Sequence, residues 1–135
     1  MLKGKRIGFI GGGNMAEAIV KGLLAGGVAP HDITLAEPVA QRREYLVASY
    51  GVTAVDDNGG ALQAADIVIL AVKPQVCMTA LRSLPGDTCS GKLFISIMAG
   101  VTTQAIENAL AKGVRVIRVM PNTPALVLQA ASAIA

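Results

Sequence analysis

Apolar residues in this chain gather in short unbroken runs, and between the runs their spacing lengthens to every third or fourth position. Arg6-Ile7-Gly8-Phe9-Ile10 is β-prone and stops at Gly11-Gly12-Gly13, as a buried strand entering a tight turn does. From Asn14 the spacing is helical: Met15, Ala18, Ile19, Gly22 and Leu23 recur on one face, while Glu17 and Lys21 fall four apart on another. This predicts a helix to about Ala25, ended by Gly26-Gly27. Ile33 to Ala36 reads as a second strand, Val39 to Tyr50 as a helix bearing Arg42, Arg43 and Glu44, and Val52 to Val55 as a weaker third strand. A polar turn at Asp56-Asp57-Asn58 leads into a short helix to Ala65, weakened by Gly59 and Gly60. Ile67 to Val72 is the clearest strand, and its continuous apolar character predicts a central parallel strand covered on both faces. Pro74 opens a helix to about Leu84, where Pro85-Gly86 stops it. Leu93 to Ile97 is a fifth strand, and Thr102 or Thr103 caps a helix to about Lys112, ended by Gly113. Val114 to Met120 is a sixth strand, closed by Pro121-Asn122-Thr123-Pro124.

Alternation of strand and helix with short connections predicts an α/β fold with a doubly wound, Rossmann-like parallel sheet of about six strands. A length of 135 residues fits one domain, read here as residues 1–124. The uncharged segment 125–135 is either a closing element packed on the sheet edge or the start of a connection to a further domain.

Composition narrows the function. With 53% hydrophobic residues, 16% charged ones and a mean hydropathy of +0.55, the chain is too apolar to stay disordered. It also has no apolar stretch of about 18 residues, so no membrane span is expected. The basic start Met1 to Arg6 runs into the glycine cluster and does not read as a signal peptide, which makes the cytoplasm the default location. A net charge of +3 suggests nucleic acid only until the positions are inspected: the basic residues are scattered, and two Tyr, two Phe and no Trp make no stacking platform. No nucleic-acid partner is expected. Cys77 and Cys89 read as reduced structural thiols, and His31, the only histidine, as a solvated loop residue, so no metal site is expected.

The chemistry-bearing pattern is Gly11-Gly12-Gly13-Asn14-Met15-Ala16, which fits G-x-G-x-x-G/A between a strand and a helix. Gly11 permits the turn, Gly13 lets the backbone approach a pyrophosphate, and Ala16 lets the helix pack closely, while the helix N-terminus offers free N–H groups and partial positive charge. Glycine turns that bind nothing share this look, but the surrounding βαβ order favours a dinucleotide. Glu37, at the end of the second strand, suits an adenosine ribose. A 2′-phosphate about 4 Å from its carboxylate would be repelled by roughly 4 kcal/mol per unit charge at an effective dielectric of about 20. Arg42 and Arg43 either offset that repulsion or form a solvated helix face. Lys73 ends the fourth strand and is aimed at the crevice, unless it is a plain surface lysine before a helix. Ala99-Gly100 and Asn122-Thr123 occupy equivalent strand ends, the small residues suiting a flat nicotinamide and the polar pair a substrate side. No acid–base constellation accompanies them, and the catalytic residues are expected beyond residue 135.

Four blocks together resemble pyrroline-5-carboxylate reductase: Gly8-Phe9-Ile10-Gly11-Gly12-Gly13-Asn14-Met15-Ala16, Ala71-Val72-Lys73-Pro74-Gln75, Ser96-Ile97-Met98-Ala99-Gly100-Val101, and Arg118-Val119-Met120-Pro121-Asn122-Thr123-Pro124-Ala125-Leu126. The resemblance implies reduction of 1-pyrroline-5-carboxylate to L-proline, the last step of proline biosynthesis, by hydride from NADPH, with NADH the alternative. It assigns the pyrophosphate to Ile10, Gly11, Gly12, Gly13, Asn14 and Met15, the ribose region to Glu37, and the adenine side to Asn58. Val72, Lys73, Pro74 and Ala99 go to the nicotinamide half. In the family a helical domain follows, builds the dimer and grips the substrate. That domain is absent from these residues, so a homo-oligomer would assemble through it and this piece alone should be inactive. Ala130 and Ala133 stand where the family usually has glycine. Two other readings compete: a Rossmann reductase of the 3-hydroxyacid dehydrogenase type, and a nucleotide-binding module without chemistry.

Overall fold

The computed structural model describes residues 5–63, 65–72, 74–82, 92–97, 103–109 and 115–118. Strands β1 (Ile7–Ile10), β2 (Ile33–Ala36), β3 (Thr53–Val55), β4 (Ile67–Leu70), β5 (Leu93–Ser96) and β6 (Arg115–Arg118) alternate with helices α1 (Asn14–Ala25), α2 (Ala40–Tyr50), α3 (Asn58–Gln63), α4 (Pro74–Arg82) and α5 (Thr103–Ala109). The strands form one six-stranded sheet in the order β3-β2-β1-β4-β5-β6, with every pairing parallel. The doubly wound, Rossmann-like sheet expected from the alternation is therefore present. The chain winds outward from β1 to β3, returns to lay β4 beside β1, and winds outward again. Ile10 is in register with Ala36 on one side and Leu70 on the other, so these strands end together at the point of reversal.

Strand alternation divides the core into two layers. Ile7 and Phe9, Ile67 and Ile69, and Leu93 and Ile95 face α1 and α2, where Ala16, Ile19, Val20, Leu23 and Leu46 meet them. Ile10, Val68, Leu70 and Phe94 face the other way, against Leu62 of α3, Leu81 of α4 and Ile106 of α5. β1, β4 and β5 are buried along their whole length, whereas β3 and β6 are partly exposed, as edges must be. Gly8, on the second layer, has no side chain because α3 occupies its place. A Cβ there would lie 2.5 Å from the Ala61 carbonyl oxygen.

Boundaries differ slightly from the sequence pattern. Arg6 already pairs with β4 through its carbonyl, which accepts from the Asp66 and Ile67 N–H groups, but regular strand begins at Ile7. β4 stops at Leu70 rather than Val72, because the chains part where Gly11 turns across Ala71 and Val72. The buried stripe of α1 is Ala16, Ile19, Val20 and Leu23, turned from the predicted face so that Met15, Ala18 and Gly22 are only half-buried. A single 3₁₀ turn at Pro30–Asp32 fills the connection before β2 and carries His31, exposed, with Nε2 3.6 Å from Asp32 Oδ1. Asp57 starts α3 by accepting the Gly59 and Gly60 N–H groups at 3.2 and 3.1 Å, which offsets the two helix-weakening glycines. Gly51 ends α2 in the left-handed region at φ +74°. No helix among the described residues is long and apolar enough to cross a membrane.

Candidate functional site

Beyond β1 the chain is pinned between its two neighbours: Gly11 N–H donates to Ala36 O, and Ala71 N–H donates to Ile10 O, both at 2.9 Å. The three glycines that follow have three different reasons to be glycine. Gly11 has φ +105°, and a side chain there would collide with Val72 and lie 2.7 Å from the Ala71 carbonyl oxygen. Gly12 is enclosed, and its Cβ would sit 3.0 Å from Glu37 Cβ and 3.1 Å from Leu46 Cδ1. At Gly13 a Cβ would meet nothing within 4 Å. Only this position opens toward solvent, and it is the N-cap of α1, whose first turn has no side-chain cap. Ala16, the fourth small residue of the pattern, is fully buried where α1 crosses the sheet.

The glycine loop forms one wall of a cleft of about 740 Å³ at the β1/β4 reversal. Ile10, Gly11, Gly12, Gly13, Asn14, Met15, Glu37, Asn58 and Val72, all singled out from the sequence, line it together. Pro74 begins α4, and Lys73, Ala99, Gly100, Asn122, Thr123, Cys89 and segment 125–135 lie outside the described residues. Sequence reasoning missed Ala36, Pro38, Asp56, Ala71, Val76, Ala80 and Ile97, which also line the cleft. Ala36, Ala71 and Ile97 sit at or just past strand ends and follow from the rule that ligands lie there. Val76 and Ala80, one turn apart on α4, form an apolar lip, with Val76 59% exposed.

Glu37 is fastened in place. Its Oε1 accepts the Gly12 N–H at 3.1 Å and its Oε2 the Val39 N–H at 2.9 Å, which leaves each oxygen further acceptor capacity in a residue that lines the cleft. The two arginines do not serve as expected. Arg42 neither forms a solvated face nor stands free for a phosphate: its Nε donates to Gly12 O at 2.5 Å and its Nη2 pairs with Glu17 Oε1 at 2.8 Å. Arg43 Nη1 donates to the carbonyls of Glu37 and Pro38 at 2.8 and 3.0 Å. Glu17 in turn binds Arg42 and the α2 tyrosines rather than pairing with Lys21, because α2 brings three donors to it: the Tyr45 hydroxyl at 2.6 Å, the Tyr50 hydroxyl and the guanidinium. Those donors, Tyr45 first and then Tyr50, hold the Glu17 carboxyl down at about 2, while the same carboxylate pushes the Tyr50 hydroxyl up.

A glycine loop opening into the first turn of a helix, an acid tied to that loop and a cleft at the sheet reversal describe a dinucleotide-binding geometry. A family model described as NADP oxidoreductase, coenzyme F420-dependent, matches residues 6–100. The chain belongs to this family. Among its relatives, pyrroline-5-carboxylate reductase of Pasteurella multocida is 42% identical, over 97% of this chain and 49% of that protein. The reductase of Methanosarcina acetivorans is likewise 42% identical, over 99% and 50%. Of solved structures, a pyrroline-5-carboxylate reductase from Coxiella burnetii superposes with a TM-score of 0.82 and 41% identity, over 91% of this chain and 46% of that one. A pyrroline carboxylate reductase from Plasmodium falciparum with NADP bound gives 0.77 and 25%, over 93% and 45%. The chain thus spans about half the length of the curated relatives it matches, and the resemblance carried by the four sequence blocks is borne out.

Proposed function

We propose that this chain is the dinucleotide-binding half of a cytoplasmic pyrroline-5-carboxylate reductase that uses NADPH and also accepts NADH. The observation that carries the reading is the open position at Gly13. In a loop where Gly11 and Gly12 are packed on all sides, this one residue leaves room for a ligand to reach the backbone, at the positive end of α1. A dinucleotide fits there: its pyrophosphate against Gly13, Asn14 and Met15, its ribose at Glu37, its adenine toward Pro38 and Asn58, and its nicotinamide half toward Val72, Val76 and Ile97. Lys73, Pro74 and Ala99 belong to the nicotinamide half in this reading, and Asn122 and Thr123 to the substrate side.

When bound, the dinucleotide supplies the hydride that reduces the imine carbon of 1-pyrroline-5-carboxylate to L-proline. The residues of this chain bind and orient. The amides of the α1 first turn take the phosphate charge, Glu37 fixes the sugar, and the apolar lip of Val76 and Ala80 keeps water from one side of the cleft. In this reading residues 1–124 make up the domain, 125–135 are its closing element or the start of a connection to a helical domain, and a homo-oligomer would assemble through that further domain.

Gly13→Val tests the reading, because the branched side chain enters only the space reserved for the phosphates. Calorimetric titration with NADPH should show affinity reduced by more than about tenfold, or over about 1.4 kcal/mol, with folding largely kept. Equal affinities of the two proteins would remove the assignment.

A further inference from the structure

We propose that Arg42 is the positioning residue of the glycine loop: it holds the Gly12 carbonyl from behind and so aims the Gly13 N–H into the cleft, and it does not bind a 2′-phosphate. The inference deepens the dinucleotide reading and rests on it. Gly12 is tied at both ends of its backbone, its N–H to Glu37 Oε1 at 3.1 Å and its carbonyl to Arg42 Nε at 2.5 Å. That carbonyl shares a peptide plane with the Gly13 N–H. The plane is trans, so the two groups point in opposite directions, and fixing one fixes the other. Arg42 draws the oxygen toward α2 and the N–H is left facing the open side, where Gly13 lines the cleft.

Arg42 is itself held from three sides. Its Nη2 is 2.8 Å from Glu17 Oε1, its guanidinium carbon lies 5.0 Å from the centre of the Tyr45 ring, and its Nε reaches Gly12. Glu17 is anchored by the hydroxyls of Tyr45 and Tyr50, whose rings meet edge to face at 6.4 Å. An arginine swung out to a 2′-phosphate would abandon the Gly12 carbonyl and leave Glu17, only 13% exposed, without its cation. The loop needs this support because Gly12 and Gly13 have no side chains of their own to lock them, and a phosphate site displaced by a fraction of an ångström loses its hydrogen bonds.

The test uses the 135-residue chain, Arg42→Ala and Arg42→Lys, with calorimetric titration of NADPH and of NADH and hydrogen exchange on the unliganded proteins. Losing the clamp should weaken both dinucleotides by roughly tenfold with their affinity ratio unchanged. Amide exchange at Gly12 and Glu17, whose N–H groups are held by Glu37 Oε1 and the Gly13 carbonyl, should quicken without ligand, and Arg42→Lys should recover part of both effects. Loss confined to NADPH would overturn the inference by making Arg42 the phosphate ligand, and so would unaltered affinities with unaltered exchange. Should Arg42→Ala fail to fold, Glu17→Gln, which keeps the shape but loosens the guanidinium, should quicken exchange of the Gly12 amide to a smaller extent, and unaltered exchange there would likewise overturn the inference. Failure of the unaltered chain to bind either dinucleotide would remove the proposed function and this inference with it, whereas wild-type affinity in every variant would remove this inference alone.

Discussion

Replacing Gly8 by alanine adds one methyl group to a strand that is buried along its length, at a site with no room for it. The new Cβ would stand 2.5 Å from the Ala61 carbonyl oxygen and 3.0 Å from Ala65 Cβ. Ordinary C···O contacts begin near 3.3 Å, so α3 must retreat by about 0.8 Å or β1 must bend away by as much. Neither is a soft movement, since the clashing oxygen is backbone and β1 is hydrogen-bonded to β2 and β4 on both sides. Overpacking of this kind costs about 1–3 kcal/mol after the small gain from burying a methyl. At about 3–4 °C per kcal/mol for a domain of this length, the melting temperature should fall by roughly 3–12 °C. Thermal unfolding followed by circular dichroism measures it, and NADPH titration of the same variant should show weakened binding because α3 carries Asn58 into the cleft. A melting temperature equal to that of the unaltered chain would mean that α3 does not rest on Gly8, and the placement of Asn58 would fall with it.

Three further outcomes follow from the cleft and the network behind it. Glu37→Ser removes a carboxylate from the sugar end of the cleft and should shift preference from NADH toward NADPH by at least tenfold, since even part of the roughly 4 kcal/mol repulsion suffices; an unchanged ratio of dissociation constants would show that Glu37 faces elsewhere. Glu17 has its carboxyl lowered from 4.5 to about 2, so it contributes stability that is full above pH 4.5 and is lost as pH falls from there toward 2. Denaturant midpoints across that acid range should fall less steeply in Glu17→Gln than in the unaltered chain, and parallel pH profiles would contradict the network. Tyr50 shifts the opposite way: its hydroxyl is raised above 10.0, so its contribution holds below pH 10 and is lost above it, and Tyr50→Phe should flatten the alkaline limb of the same profile.

Nearly every element was legible because the period of apolar residues switches cleanly at Gly11, Gly26 and Pro74, and the parallel order followed from the alternation of strand and helix, with Ile67 to Val72 apolar on both faces. The cleft was legible to the extent that its residues sit at strand ends or in the glycine pattern. What escaped is long-range in sequence. Arg42 and Glu17 are 25 residues apart, and nothing in either segment announces that α2 will lay its arginine under the loop of β1; the local spacing instead offered Lys21 as the partner of Glu17. Gly8 escaped for a similar reason, since a glycine in a short apolar run reads as a weak strand residue until the helix that fills its place is seen. The turn at Pro30–Asp32 was hidden in a stretch rich in breakers, where several local conformations satisfy the same residues.

The ion pair between Glu17 and Arg42 also settles a conflict at the start of α1. An acid in the first turn favours the helix, yet it stands at the end where the partial positive charge of the peptide dipoles, about half an elementary charge, would otherwise meet an incoming anion. A lone carboxylate about 8 Å from a phosphate would oppose it by roughly 2 kcal/mol per unit charge at an effective dielectric of about 20. With the guanidinium 2.8 Å away, Glu17 and Arg42 form a short dipole whose field decays much faster with distance than that of either charge. The carboxylate can therefore draw α2 onto α1 while remaining nearly silent to whatever binds at Gly13, and the terminal amides keep their pull on an anion undiminished.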